Sequence, residues 1–169
     1  MERLLLMTKY SSIIALLLLL TGCSMVNDGS DDPKDYVAVG DRLPAFTVPV
    51  VYSDGTTGTF TSTALTGPTV VVFFHTSCSD CQRELPRLDA YYRQHQHDDG
   101  FQMVAISREE NAESVATFWA DQHLAIPYSA QPDRRIYQLF ATVTIPRIYF
   151  CNSQGIVTRI FVERIDEAL

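Results

Sequence analysis

Lysine is nearly missing from this chain. It occurs twice, as Lys9 and Lys34, among 13 basic residues that face 20 acidic ones, for a net charge of −7. Beyond the extreme N-terminus there is no basic run. A nucleic-acid partner needs a patch of cations to neutralise phosphates, so that class is excluded. Four cysteines (Cys23, Cys78, Cys81, Cys151) are too few for a small disulfide scaffold. The apolar run Ile13–Leu20 stops at eight residues, short of the roughly 20 that a membrane-spanning helix needs. With 8 glycines and 8 prolines the chain is neither collagen-like nor of low complexity, and no internal repeat is visible. What is there is an ordinary globular balance, 46% apolar and 20% charged over 169 residues. That describes one core domain plus a short extra segment.

The extra segment is N-terminal. Arg3 and Lys9 precede the apolar run, which reads as the core of an export signal. Leu20-Thr21-Gly22-Cys23 then resembles the lipobox of bacterial lipoproteins, which implies cleavage before Cys23 and lipid attachment to it. Plain secretion with a free Cys23 is the other reading. Residues 24–35 (SMVNDGSDDPKD) are acidic and apolar-poor, as in a flexible tether. The expected organisation is a signal peptide over 1–22, a lipidated tether over 23–35 and a folded domain over 36–169. Export places that domain in an oxidising compartment.

From Tyr36 onward strand and helix patterns alternate. Asp54-Gly55 between Phe46–Val50 and Thr57–Thr61 predicts a β-hairpin. Thr69–Phe74 (TVVVFF) is the continuous β-branched run of a strand buried on both faces. Cys81, Leu85, Leu88 and Tyr92 share one face of a helix expected from Cys78 to about His97, with a bend at Pro86. Phe101–Ile106 predicts a second core strand. Ser107 and Glu110 suit a capping box for a helix that turns Val115, Phe118 and Trp119 inward. A short strand over Ile126–Ala130, a helix over Asp133–Phe140 and a third core strand over Arg147–Cys151 follow. The turn Asn152–Gly155 then leads into Ile156–Val162. The order predicts an α/β fold with a mixed central sheet, because the closing hairpin must run antiparallel.

The chemistry concentrates at Cys78-Ser79-Asp80-Cys81. Two cysteines three apart at a helix start can close a disulfide, and the exposed amides there favour a thiolate on the first sulfur. Half a zinc site is the competing reading. It needs two more ligands, and His95, His97, His123 and Cys151 form no second pair. Cys151 sits in a core strand and reads as an inert thiol. His75 is a loop residue that would favour the Cys78 thiolate if protonated.

Taken together, Gly40-Asp41-Arg42-Leu43-Pro44-Ala45-Phe46, the run Cys78-Ser79-Asp80-Cys81-Gln82-Arg83-Glu84-Leu85-Pro86, Thr144-Ile145-Pro146 and Asn152–Gly155 resemble the TlpA/ResA-type thioredoxin-like proteins. Those are membrane-anchored thiol–disulfide oxidoreductases of the bacterial envelope. The resemblance covers about residues 39–162. It implies a thioredoxin-like fold with an N-terminal hairpin and an extra β-α unit between the CxxC helix and a cis-proline. By position it makes Cys78 the attacking thiolate, Cys81 the resolving thiol and Pro146 the cis-proline. Ile145 and Ser77 then flank the substrate, and Glu84 is a candidate proton acceptor for Cys81, a solvated helix-face carboxylate being the alternative. The implied partners are disulfide-containing envelope proteins and a membrane electron donor, with no cofactor.

The sequence departs from the family pattern at Ser77, where tryptophan is usual, and at Val72, where thioredoxin has a buried aspartate. Ser79-Asp80 fills the CxxC interior, and seven residues follow the last strand, so the usual closing helix is a stub. A peroxidase of the same fold would need proline at Val71 and threonine at His75, which are absent. A copper-delivery protein of the same fold would use a three-residue gap and a distal histidine. A non-enzymatic binding module stays open. Asp80 in the active-site turn and apolar Ile145 before the proline point towards a reductant.

Overall fold

The computed structural model describes residues 34–165. The signal-peptide segment, Cys23 and most of the expected tether lie outside them, as do residues 166–169. Seven strands form one sheet in the order β2-β1-β5-β4-β3-β6-β7. β1 (Thr47–Val51) and β2 (Thr57–Thr61) make the expected hairpin. Its turn is set by Asp54, whose Oδ1 accepts from the Thr56 N–H at 2.9 Å, and by Gly55 in the left-handed region at φ 82°. Val48 and Val50 point inward and Thr47 and Pro49 outward, the alternation of a half-buried strand.

β3 (Thr69–Phe74) is buried at every position and lies between β4 (Gln102–Ser107), parallel to it, and β6 (Arg147–Cys151), antiparallel. β5, shortened to Tyr128–Ser129, joins the far side of β4. β7 (Val157–Val162) closes the second hairpin antiparallel to β6. The mixed thioredoxin-like sheet is therefore as expected, including the β-α unit inserted between the CxxC helix and the proline.

α1 (Ser79–His95) runs unbroken through Pro86, and α2 is Ala112–Asp121. Both lie over the same face of the sheet. Leu85, Leu88, Val115 and Trp119 pack there with Val70, Val72, Phe74, Ala105 and Ile148. Each fully buried leucine is worth about 2 kcal/mol of transfer free energy. Among the described residues no α-helix covers the other face. Val37, Leu43, Phe46, Tyr137 and Phe140 come from connecting segments and pack on Val71, Phe73, Val104, Ile106 and Tyr149.

Two local expectations fail. Ser107 and Glu110 do not cap α2. Asn111 does, its side chain accepting from the Ser114 N–H at 2.8 Å. The Ser107 hydroxyl instead accepts from the Gln131 N–H, and Glu110 turns to Thr76. The helix expected over 133–140 shrinks to one 3-10 turn, Tyr137–Leu139, with Leu139 exposed. At the start, the Asp133 carbonyl accepts from the Glu109 N–H (3.3 Å) and its side chain from the Arg135 N–H (2.9 Å), a turn rather than a helix. Ala141 is already paired with Asp35, and the neighbouring backbone bonds run from Tyr36 N–H to Phe140 O (2.8 Å) and from Thr142 N–H to Lys34 O (3.0 Å). The pairing thus already includes Lys34, two residues ahead of Tyr36.

Arginine staples the connections. Arg83 donates to Glu163 O, Arg87 to Ile165 O, Arg93 to His123 O, Arg134 to Thr142 O and Arg42 to Gln154 O. Arg83, Arg87 and Arg93 also hold a carboxylate on α1. A planar fork serves an anion and a carbonyl together, which a lysine ammonium does less well. Ile165, held by this clamp, is buried with Leu85 and Leu88 of α1.

Candidate functional site

The site forms where β3 hands over to α1. Cys78 is the N-cap of α1, in extended conformation (φ −80°, ψ 116°). Its sulfur takes the place of a capping oxygen and accepts from the Cys81 N–H at 3.3 Å. One orphan amide of the first turn, that of Cys81, therefore faces Cys78 Sγ, as the position of the pair predicts. Cys78 is part-exposed, Cys81 is fully buried, and both are free thiols. Burial pushes the Cys81 thiol well above the ordinary thiol range, and the hydrogen bond with Cys78 adds to the shift. Arg108 pulls weakly the other way.

Across from Cys78 stands the Ile145–Pro146 peptide, which is cis. The Cys78 thiol donates to the Ile145 carbonyl oxygen at 3.6 Å. Pro146 is buried and Ile145 half-buried. Cys78, Cys81, Ile145 and Pro146, far apart in sequence, thus come together at the C-terminal end of β3.

Ser77 is exposed. Its N–H donates to His75 Nδ1 at 3.1 Å, and its hydroxyl lies 2.9 Å from the same atom. Glu110 Oε1 lies 3.5 Å from the same nitrogen, so His75 Nδ1 sits between the Ser77 backbone and a buried carboxylate. Asp80 is matched by Arg83 at 2.6 Å, so its charge does not face the thiols uncompensated. Glu84 is completely buried rather than solvated. Arg83 Nε (2.8 Å), Arg87 Nη1 (2.9 Å) and the Ile165 N–H (3.4 Å) occupy its oxygens. Val72, fully buried, supplies no carboxylate. Cys151 lies in β6, and burial pushes its thiol up to about 12, as suits an inert core residue.

Glu110 was not visible as part of this site. It is buried, and both carboxylate oxygens accept the Thr76 N–H, at 3.1 and 3.0 Å, while the Thr76 hydroxyl donates to Oε1. Gln82 Nε2 donates to Thr76 O at 2.7 Å from the other side. The loop before Cys78 is thus held on both sides of Thr76, through the peptide before it and the peptide after it. Among the described residues no three His, Cys, Asp or Glu side chains converge as metal ligands. A cleft of about 540 Å³ opens beside Asp80 and Arg83, walled by Ile160–Arg164.

A CxxC pair capping the helix that follows a central strand, opposite a cis-proline, defines the thioredoxin-like class. Residues 39–160 match the AhpC/TSA family, and the chain belongs to that family. Solved structures share its fold. A candidate protein disulfide isomerase from Bacteroides thetaiotaomicron superposes with a TM-score of 0.69 at 22% identity, over 79% of this chain and 84% of that one. The thioredoxin domain of a thiol-disulfide oxidoreductase from Bacteroides vulgatus gives 0.59 at 21%, over 73% and 88%. StoA from Bacillus subtilis gives 0.56 at 18%, over 71% and 90%. No curated protein sequence matches the chain.

Proposed function

We propose that this protein is a thiol–disulfide oxidoreductase of the bacterial envelope, of the TlpA/ResA type, working as a disulfide reductant. The observation that carries the reading is the Cys78 sulfur, part-exposed at the α1 N-cap and 3.6 Å from the Ile145 carbonyl beside a cis-proline. Cys78, as thiolate, attacks one sulfur of a substrate disulfide. A Cys78–substrate bond forms, and the other substrate sulfur leaves and takes up a proton. Cys81 then loses its proton and attacks Cys78 Sγ. The protein ends as the Cys78–Cys81 disulfide, and two electrons have passed to the substrate, now a dithiol. A membrane electron donor returns the pair to its reduced form.

Pro146 and the backbone of Ile145 receive the extended substrate strand, and Ser77 leaves the rim of the groove without an aromatic wall. Glu84 would take the Cys81 proton only after releasing one of its present contacts. The substrates are disulfide-containing envelope proteins, and Cys23 carries the lipid that keeps the domain at the membrane.

Insulin-disulfide reduction by the protein, lost in Cys78→Ser, tests the activity. Cys81→Ser is expected to accumulate mixed disulfides and Cys78→Ser none. Equal trapping by both would overturn the division of labour. Copper binding without reductase activity would make the protein a metal carrier. Cys23→Ala is expected to turn a membrane-pelleting protein soluble or unprocessed, and an N-terminal peptide without acyl mass would sink the anchor.

A further inference from the structure

The carbonyl oxygens of Val143 and Thr144, just before the cis peptide, both turn inward. The Tyr137 hydroxyl donates to both, at 2.8 Å to Thr144 O. Arg147 Nε reaches the same two oxygens at 3.3 and 3.1 Å. Thr144 has φ 73°, a region that β-branched residues rarely enter and keep only where the surroundings over-determine it. Arg147 is therefore one of two residues that hold this loop in shape.

Arg147 is itself only 4% exposed, and a buried guanidinium needs an anion. Two more guanidiniums stand nearby, and the one carboxylate beside them, Glu109, faces those two. Arg108 and Arg134 lie over the Tyr137 ring at 5.0 and 5.9 Å, and Glu109 is 3.5 Å from Arg134. The anion for Arg147 is Asp35, at 2.6 Å from Nη2. Asp35 is brought there by the antiparallel pairing of Lys34–Tyr36 with Phe140–Thr142.

We propose that Asp35 is a positioning residue for substrate capture. Through Arg147 it holds Val143–Ile145 in the shape that presents the Ile145 backbone beside Cys78. The segment leading into the domain is then part of the redox site rather than only a leash. This rests on the reading that Ile145 receives the substrate strand.

The test uses the full-length chain in detergent, because Arg147 variants risk failing to fold. Asp35→Asn keeps the shape and removes the charge. It is expected to raise KM for insulin about tenfold, the equivalent of ~1.4 kcal/mol, with kcat within about twofold. The reaction of Cys78 with a small aromatic disulfide stays as in the wild type. Amide exchange at Val143–Ile145 accelerates about tenfold. Asp35→Glu restores KM and exchange. A folded Asp35→Asn with unchanged KM overturns the proposal. So does a loss of small-disulfide reactivity in parallel with melting temperature, which marks a purely structural role. If the wild type leaves insulin intact, the activity reading falls instead. Exchange then still decides the link from Asp35 to the loop, and unchanged exchange breaks it.

Discussion

Glu110 grips Thr76 from just past the end of β4, taking its N–H on both carboxylate oxygens and its hydroxyl on one. Thr76 stands two residues before Cys78, so a side chain 34 positions away sets the approach to the nucleophile. Removing one partner of a buried, charge-assisted set strands the others without acceptors. Glu110→Ala is expected to cost about 2 kcal/mol, or roughly 8 °C in Tm, and to slow the Cys78 reaction with small disulfides. A calorimetric scan and a stopped-flow trace check the two effects. A stable variant with wild-type kinetics would make the contact incidental.

The second step of the cycle should depend steeply on pH. Burial raises the Cys81 thiol, so its thiolate is scarce at neutral pH and grows as the solution becomes more alkaline. Decay of a preformed Cys78 mixed disulfide is expected to quicken about tenfold per pH unit between roughly 6 and 9. A flat profile would show that a nearby base removes the proton first.

Alkali should also weaken the fold. The Cys151 thiol titrates near its ordinary 9.0 when unfolded and at about 12 when folded. The native state then holds the proton longer than the unfolded one. Stability is full below pH 9 and falls as pH rises from there to about 12. At pH 10 the loss from this one group is roughly 1.4 kcal/mol. Urea melts of the reduced protein at two pH values, with Cys151→Val as the comparison, isolate it. Cys151→Val should show a shallower decline.

Asp80 and Arg83 tune the potential against each other. Asp80→Asn removes an anion from the active-site turn while Arg83 keeps its contact with Glu84, which stabilises the reduced form and makes the protein more oxidising. Arg83→Gln does the reverse. The pair is largely solvated, so each shift is expected on the order of 10 mV. The wild-type potential is expected around −270 mV. A glutathione titration above roughly −180 mV would reassign the protein to oxidation or isomerisation.

Much of this was legible because the relevant signals are local. TVVVFF cannot be anything but a core strand in a chain of this size, and Cys78 caps its helix because the pair begins the periodic run. The failures share a cause. Ser107 and Glu110 have the spacing of a capping box, but Gln131 and Thr76, remote in sequence, claim their side chains first. Asp133–Phe140 has helical periodicity, yet Asp133 is drawn into a bond with Glu109, remote in sequence, and only Tyr137–Leu139 winds. Glu84 borders the apolar face of α1, and only the arginines one position before and three after it hint at a buried charge. Asp35 looked like tether because nothing adjacent in sequence reveals an arginine 112 positions away.

The arginine staples leave the domain with an unusual chemical surface. Every cation after Asp35 is a guanidinium, so no ε-amine exists between Tyr36 and Leu169. Succinimidyl esters, amine-directed cross-linkers and acetylating reagents therefore find one lysine past Cys23, at Lys34. Its backbone is hydrogen-bonded to Thr142, next to the redox loop. Within the folded domain, an ε-amine label at Lys34 would report on that strand pairing.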